Sequence, residues 1–220
     1  VYKLPFDPVR SFTPVMQLGA GPLVLVAHPA FPARNARALI DLAMAKPDTI
    51  TYAISGTGGV NHFAGALFAR LAGVRLINVP YKGGPQALTD LIGGQVQVMF
   101  GTAAITLTQV RAGRLKALGV STSQRTPLLP EIPTIAESGA PGYAMSIWWG
   151  VLAPAGMPDA LVARLNAEIG GILAQPESAQ RLAAEGAEPS PLAGAAFTRL
   201  LSTEVEKWTR IARDADIKAD

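Results

Sequence analysis

A run of small residues, Ser55-Gly56-Thr57-Gly58-Gly59, stands between a short apolar stretch and a segment with helical periodicity. Small side chains leave backbone N–H groups accessible, and the first N–H groups of a helix have no partner inside the helix. The helix start adds a partial positive charge, so such a loop holds a carboxylate or a phosphate without a lysine. The hydroxyls of Ser55 and Thr57 add donors. The sequence therefore predicts an anion site here; the alternative is a tight turn that needs glycine only for its geometry.

Four further residues extend this candidate site. His62 falls in the first turn of the following helix, where it either donates to a ligand anion or caps and packs locally. Tyr81, in the loop 79–85, is expected to line a cleft. Thr102 comes directly after another predicted strand and is expected to line the same cleft. Trp148 and Trp149 are adjacent, so in a strand they point to opposite sides. One is expected to line a cleft, unless both pack in the core.

The same residues exclude several kinds of enzyme. The glycine loop lacks the lysine of a P-loop and does not match the full dinucleotide fingerprint. Ser55 is not in a nucleophile elbow. The chain has no cysteine, and His28 and His62 have no carboxylate at ligand spacing, so neither a thiol nucleophile nor a transition-metal site is expected. We predict no catalytic activity, no metal and no cofactor.

The elements that position these loops alternate between strands and helices. Apolar runs at residues 23–27, 50–54, 75–79, 96–100 and 116–120 predict strands, and the segments 34–46, 60–72 and 85–92 predict helices. This β-α-β-α-β order predicts an α/β fold with a mostly parallel sheet, whose ligand site lies at the carboxyl ends of the strands.

The second part of the chain has a different pattern. Residues 124–141 are rich in proline and serine and predict an irregular connection with one short helix at 134–137. A second structural unit is expected to begin near Ser146, with helices at about 158–174, 177–185 and 193–213.

The composition of the chain excludes some classes of binding partner. Hydrophobic residues make up 49% of the 220 residues, enough for a substantial core. The 19 lysines and arginines are scattered and the formal net charge is +3, so no nucleic-acid partner is expected. No apolar run reaches the length of about 18 residues that a membrane span requires. The chain opens at Val1 without a basic and apolar leader, so an export signal is expected to be absent or removed.

Several motifs in order resemble the Bug, or TctC, receptors of tripartite tricarboxylate transporters. They cover essentially the whole chain and comprise residues 52–65, Val79-Pro80-Tyr81-Lys82-Gly83, residues 93–100, Pro133-Thr134-Ile135-Ala136-Glu137, Trp148-Trp149-Gly150 and Ala153-Pro154-Ala155-Gly156.

The resemblance implies a two-lobed, periplasmic-binding-protein-like (Venus flytrap) receptor in the periplasm. Such a receptor closes on a carboxylated small molecule and delivers it to membrane subunits. The implied ligand is a di- or tricarboxylate, an acidic amino acid, an aromatic acid or nicotinate. Residues 23–145 would form the second lobe and residues 1–22 and 146–220 parts of the first. Ser55, Gly56, Thr57, Gly58, Gly59 and His62 match the anion-binding loop of the family, and Thr102 a neighbouring ligand-facing loop.

Two departures from the family pattern matter. Gly101 stands where members often have an acidic residue that recognises a ligand amino group. The chain also enters well inside the first lobe, so this lobe is expected to be incomplete. Two other classes of protein share parts of this pattern. An effector-sensing regulatory domain has the same two-lobed plan but would be preceded by a DNA-binding helix-turn-helix, and an enzyme using the loop as an oxyanion site would need a base or nucleophile.

Overall fold

Strands and helices alternate along most of the chain, as the hydrophobic pattern predicts. The computed structural model describes residues 3–218. The strands in this range are β1 (Phe12–Ala27), β2 (Thr51–Ile54), β3 (Ile77–Pro80), β4 (Val98–Thr102), β5 (Lys116–Val120), β6 (Ser146–Pro154) and β7 (Glu188–Ala193). The helices are α1 (Ala36–Ala45), α2 (Val60–Ala72), α3 (Gly84–Ile92), α4 (Ala103–Arg111), α5 (Asp159–Leu173), α6 (Pro176–Ala184) and α7 (Gly194–Asp214). No helix within residues 3–218 is long and apolar enough to cross a membrane.

The long strand β1 connects two groups of strands. Its first part pairs with β6 and β7, and its second part pairs with β4 and β5. The partners change between Pro22, which lies opposite Ser146, and Leu23, which lies opposite Thr102. The chain therefore passes from one group of strands to the other in the middle of a continuous strand.

The direction of the strands agrees with the expected mostly parallel sheet. In the order β3-β2-β4-β1-β5, β2 pairs in parallel with β3 and β4, whereas β1 is antiparallel to both of its neighbours. Four of these five strands thus point the same way, in line with a mostly parallel sheet. β1 is the exception, and its direction could not be predicted because hydrophobic periodicity carries no information on strand direction.

The apolar core lies on both faces of this sheet. Alternate residues of β1 point to opposite faces. Leu23 and Leu25 join α1 and α2 in one cluster, and Val24 and Val26 join α3 and α4 in another. The helix α2 is held by Phe68, which is fully buried and contributes about 1.5 to 3 kcal/mol by its burial alone. This packing fixes the direction in which α2 leaves the glycine loop.

Several elements differ from the prediction in their extent. The strand predicted at residues 23–27 begins at Phe12, and neither β7 nor α4 was predicted. The short helix expected at 134–137 was wrong. There the Thr134 N–H donates to Glu137 Oε2 at 2.7 Å and the Glu137 N–H donates to Thr134 Oγ1 at 3.0 Å. With the bond from the Ser138 N–H to the Thr134 oxygen at 3.2 Å, they close a turn that does not continue as a helix.

Candidate functional site

Three loops of the candidate site meet at one edge of the sheet. Because β2 pairs in parallel with β3 and β4, the carboxyl ends of these three strands lie side by side. The Tyr81 N–H donates to the Ile54 carbonyl oxygen at 2.8 Å and continues the pairing of β3 with β2 up to the start of the glycine loop. Residues 55–59, 81–83 and 102 therefore begin at neighbouring positions.

The backbone of the glycine loop explains its composition. Gly56 and Gly58 have φ values of 124° and 74°, in the left-handed region that favours glycine. The Gly59 N–H donates to the Gly56 oxygen at 3.1 Å, and Gly59 is the N-cap of α2. The first bond of the helix ladder runs from the Phe63 N–H to the Gly59 oxygen at 3.2 Å, so the N–H groups of residues 60–62 precede the ladder. These donors and the helix dipole favour an anion at this point.

The buried side chain of Asn61 ties the loop to β4. Its Nδ2 donates to the Phe100 carbonyl oxygen at 2.7 Å, and its Oδ1 accepts a short hydrogen bond from the Ser55 hydroxyl. Asn61 is only 3% exposed. The Ser55 hydrogen is thus directed to Asn61, and it must turn before it can donate to an anion. Sequence reasoning missed Asn61. The sequence signal that could have identified it is a single amide side chain on the apolar face of α2, the same face as Ala64 and Phe68.

His62 turns back to the loop that precedes it. Its Nδ1 accepts from the Gly58 N–H at 3.2 Å, and its Nε2 lies 3.4 Å from Asn78 Nδ2. Burial lowers the pKa of the His62 imidazole below its usual value. The structure therefore gives His62 a local partner on each ring nitrogen; its direct contact with a ligand stays a prediction. Asn78, which no sequence signal singled out, belongs to the same group of side chains.

Thr57 and Thr102 lie on neighbouring loops. Thr57 is half-buried between Gly56 and Gly58 and interacts with other parts of the chain. Thr102 is the last residue of β4 and the N-cap of α4, and its carbonyl oxygen accepts from Thr106 Oγ1 at 2.8 Å. Directly before it, Gly101 is buried, and a Cβ at this position would overlap the Thr106 methyl group. An acidic side chain does not fit at Gly101 without a change at Thr106.

Tyr81 is turned away from the glycine loop. Its ring packs against the cluster that contains Ala87 and Leu91 of α3. Burial and a hydrogen bond with the Asp90 carboxylate raise the pKa of the Tyr81 hydroxyl. The backbone of Tyr81 therefore borders the site, while its side chain faces α3.

Trp148 lies across α2 from His62. Its ring meets Phe197 edge-on at 5.6 Å between centroids, and it lines a mostly apolar cavity of 480 Å³ with Val60 and Phe63. His62 instead lines a separate cavity of 880 Å³ on another side of α2. The structure thus brings together the residues of the three loops and His62, and it places Trp148 near the first turn of α2 but on a different cavity.

Comparison with known proteins places this fold in a family. The profile of the tripartite tricarboxylate transporter family receptors, TctC, matches residues 1–217. A protein encoded in the tcbD-tcbE intergenic region of Pseudomonas sp. (strain P51) is 35% identical over 219 residues, covering 99% of this chain and 65% of the relative. BugT from Bordetella pertussis is 30% identical and covers 98% of this chain and 66% of BugT. The chain thus spans about two thirds of the length of these relatives.

Solved structures show the same architecture. The periplasmic binding protein BugD is 32% identical with a TM-score of 0.84, and the match covers 100% of this chain and 75% of BugD. MatC from Rhodopseudomonas palustris with bound malate is 31% identical with a TM-score of 0.79, covering 96% of this chain and 72% of MatC. An R. palustris protein with adipate is 32% identical with a TM-score of 0.88, covering 100% and 74%. The expected periplasmic-binding-protein-like α/β fold is confirmed, and the chain belongs to the tripartite tricarboxylate transporter receptor family.

Proposed function

We propose that the chain is the ligand-capturing part of a periplasmic receptor, which binds a small carboxylate and presents it to the membrane subunits of a tripartite transporter, without catalysing a reaction. The observation that carries this proposal is the start of α2. There, two left-handed glycines and the N-cap Gly59 precede a thirteen-residue helix at the carboxyl edge of the sheet. N–H donors and a helix dipole bind a carboxylate in this geometry.

We infer that the ligand is a dicarboxylate. Two relatives of similar fold and about one-third identity were solved with malate and with adipate. Both ligands carry two carboxylates and no amino group. Gly101 has no side chain, so an ammonium group on the ligand has no counter-charge at this position. Dicarboxylates are therefore favoured over acidic amino acids.

Ligand capture would proceed by closure of two lobes, residues 23–145 against residues 1–22 and 146–220. The support for this division is the change of β1 partners between Pro22 and Leu23, together with the pairing of Pro22 with Ser146. The two segments in which the chain passes from one group of strands to the other therefore lie next to each other. A small bend in both segments would move one group of strands relative to the other. The closed state is the one that would dock to the membrane subunits.

The double variant Ser55→Ala, Thr57→Ala tests the binding site. A hydrogen bond to a charged group is worth about 1.5 to 3 kcal/mol. Loss of the Thr57 hydroxyl, together with loss of the Ser55 hydroxyl that holds Asn61, should therefore weaken binding of malate and adipate by about ten-fold or more in calorimetry. Ser123 and Thr203 are exposed and lie outside the loop. The double variant Ser123→Ala, Thr203→Ala should therefore bind as the unmodified chain does. Equal affinity in both double variants would refute the assignment of this loop.

A further inference from the structure

His62 connects the glycine loop to a line of polar side chains behind it. The residue is 8% exposed, and its Nδ1 accepts from the Gly58 N–H at 3.2 Å. On the other side, Nε2 lies 3.4 Å from the Asn78 amide, which is itself hydrogen-bonded to the Tyr52 hydroxyl. The series Gly58–His62–Asn78–Tyr52 thus joins the loop to β3 and β2.

The Gly58 N–H determines the tautomer of His62. A backbone N–H only donates, so Nδ1 has no hydrogen and a neutral imidazole carries its hydrogen on Nε2. The Asn78 amide can present its oxygen to this hydrogen by an amide flip. A protonated imidazole has hydrogens on both nitrogens and loses the bond to Gly58. The loop geometry therefore requires the neutral form of His62.

We propose that His62 is a positioning residue: its neutral imidazole holds the Gly58 N–H, keeps the glycine loop in the shape that binds a carboxylate, and releases the loop when it is protonated. This inference rests on the proposed function of the loop and adds its regulation by pH. Gly58 has a left-handed φ of 74°, and glycine is the most flexible residue, so the loop depends on such a bond to keep its shape.

Charged groups surround the cavity that His62 lines, and each of them is paired with an opposite charge. They are Asp48 before β2, Arg75 before β3, Arg70 on α2, and Asp214 and Asp216 at the end of α7; Tyr52 of β2 also lines it. Arg75 pairs with Asp48, Arg70 with Asp214, and Lys218 with Asp216. Because these charges neutralise one another in pairs, burial remains the main influence on the His62 imidazole, and it disfavours the charged form.

The direction of the pH effect follows from this lowered pKa. An unfolded or released His62 takes up a proton near pH 6.5, whereas the folded site resists the proton to a lower pH. The contribution of the neutral imidazole is therefore fully present above about pH 6.5 and is lost as the pH falls toward the folded pKa. A histidine that instead contacts the ligand as a cation would strengthen binding on acidification, which is the opposite trend.

The first test needs no ligand. In the chain of residues 1–220, the amide resonance of Gly58 is followed by NMR together with the ring nitrogens of His62, from about pH 8 down to the pH at which His62 has fully titrated. At the highest pH we expect the Nε2–H tautomer of His62. As the pH falls, the Gly58 amide resonance should shift and its hydrogen exchange should become faster, with the same midpoint as the His62 titration. In His62→Asn, whose Oδ1 takes the place of Nδ1 and does not titrate, Gly58 should stay unchanged over this range. A Gly58 amide that ignores the His62 titration would overturn the proposal.

The second test uses malate and adipate as probes. Affinity of the unmodified chain should fall about three- to ten-fold more on acidification than that of His62→Asn, which corrects for protonation of the probe itself. His62→Ala should bind weakly at every pH. An affinity that rises relative to His62→Asn on acidification would overturn the proposal. If neither probe binds while Gly58 still follows His62, the proposed function fails and the positioning role stands.

Discussion

Asn61 donates from Nδ2 to the Phe100 carbonyl oxygen at 2.7 Å and so joins the start of α2 to the middle of β4. The two strands that end at this point, β2 and β4, are direct neighbours in the sheet. Asn61 also accepts from Ser55, so one buried amide organises the loop on both sides. The shape of the anion site depends on this amide as much as on the glycines.

The variant Asn61→Ala should destabilise the fold by about 1 to 3 kcal/mol, because the buried Phe100 carbonyl and the Ser55 hydroxyl lose their partner. Urea denaturation measures this free energy of unfolding. Gln124 is exposed, so Gln124→Ala should change stability by less than about 0.5 kcal/mol. A loss for Asn61→Ala no larger than that of Gln124→Ala would contradict the role given to Asn61.

Gly65→Ala should destabilise the chain by about 1 to 3 kcal/mol, because a Cβ on Gly65 would lie 2.6 Å from Tyr52 Cζ, in a ring that is itself buried. Gly171 lies in α5 and has nothing within 4 Å of its added Cβ. There the higher helix propensity of alanine should stabilise the chain by up to about 1 kcal/mol. Thermal unfolding compares the stability of the two variants. If both variants unfolded at a higher temperature than the unmodified chain, the Tyr52 ring would not exclude a Cβ at Gly65.

Gly186→Ala should disturb the contact between the loop before β7 and the start of α4. An added Cβ would lie 2.6 Å from both Ala103 Cβ and Ala104 N. Gly73 is the matched control, because its φ of 66° resembles the 70° of Gly186 but its surroundings are open. Gly73→Ala should cost about 1 kcal/mol for the backbone conformation alone, and Gly186→Ala about 1 to 3 kcal/mol more. Equal losses of the free energy of unfolding in the two variants would mean that the structure around Gly186 accommodates a Cβ without a loss of stability.

Sequence periodicity predicts α2 with its correct ends, because Phe63, Leu67 and Leu71 repeat at helical spacing and Gly73 ends the helix. It fails for α4, where threonines interrupt the apolar pattern, and for β7, which contains two prolines. The first part of β1 is missed because Gly19, Gly21 and Pro22 are poor strand formers. These residues are tolerated because β1 passes between two strand groups at this point and runs close to Gly186.

For the site, the sequence predicts which loops meet but not how they are held. Loops after parallel strands share one edge, so Ser55, Tyr81 and Thr102 could be placed at that edge from the order of the elements. Asn61 and His62 each have one partner in the glycine loop and one on another strand, Phe100 of β4 and Asn78 of β3. Contacts with distant strands cannot be deduced from local periodicity. Local periodicity also does not show which way a loop side chain turns, so the hydrogen bond of Tyr81 with Asp90 of α3 could not be predicted.

The most direct test of carboxylate capture at the glycine loop is an NMR titration of the chain with malate, following the backbone amides of residues 55–62. We expect saturable shifts that are largest at Thr57 and Asn61, and that are reduced in the Ser55→Ala, Thr57→Ala double variant. Shifts that concentrate instead around Trp148 and Trp208, in the cavity of 480 Å³, would contradict it.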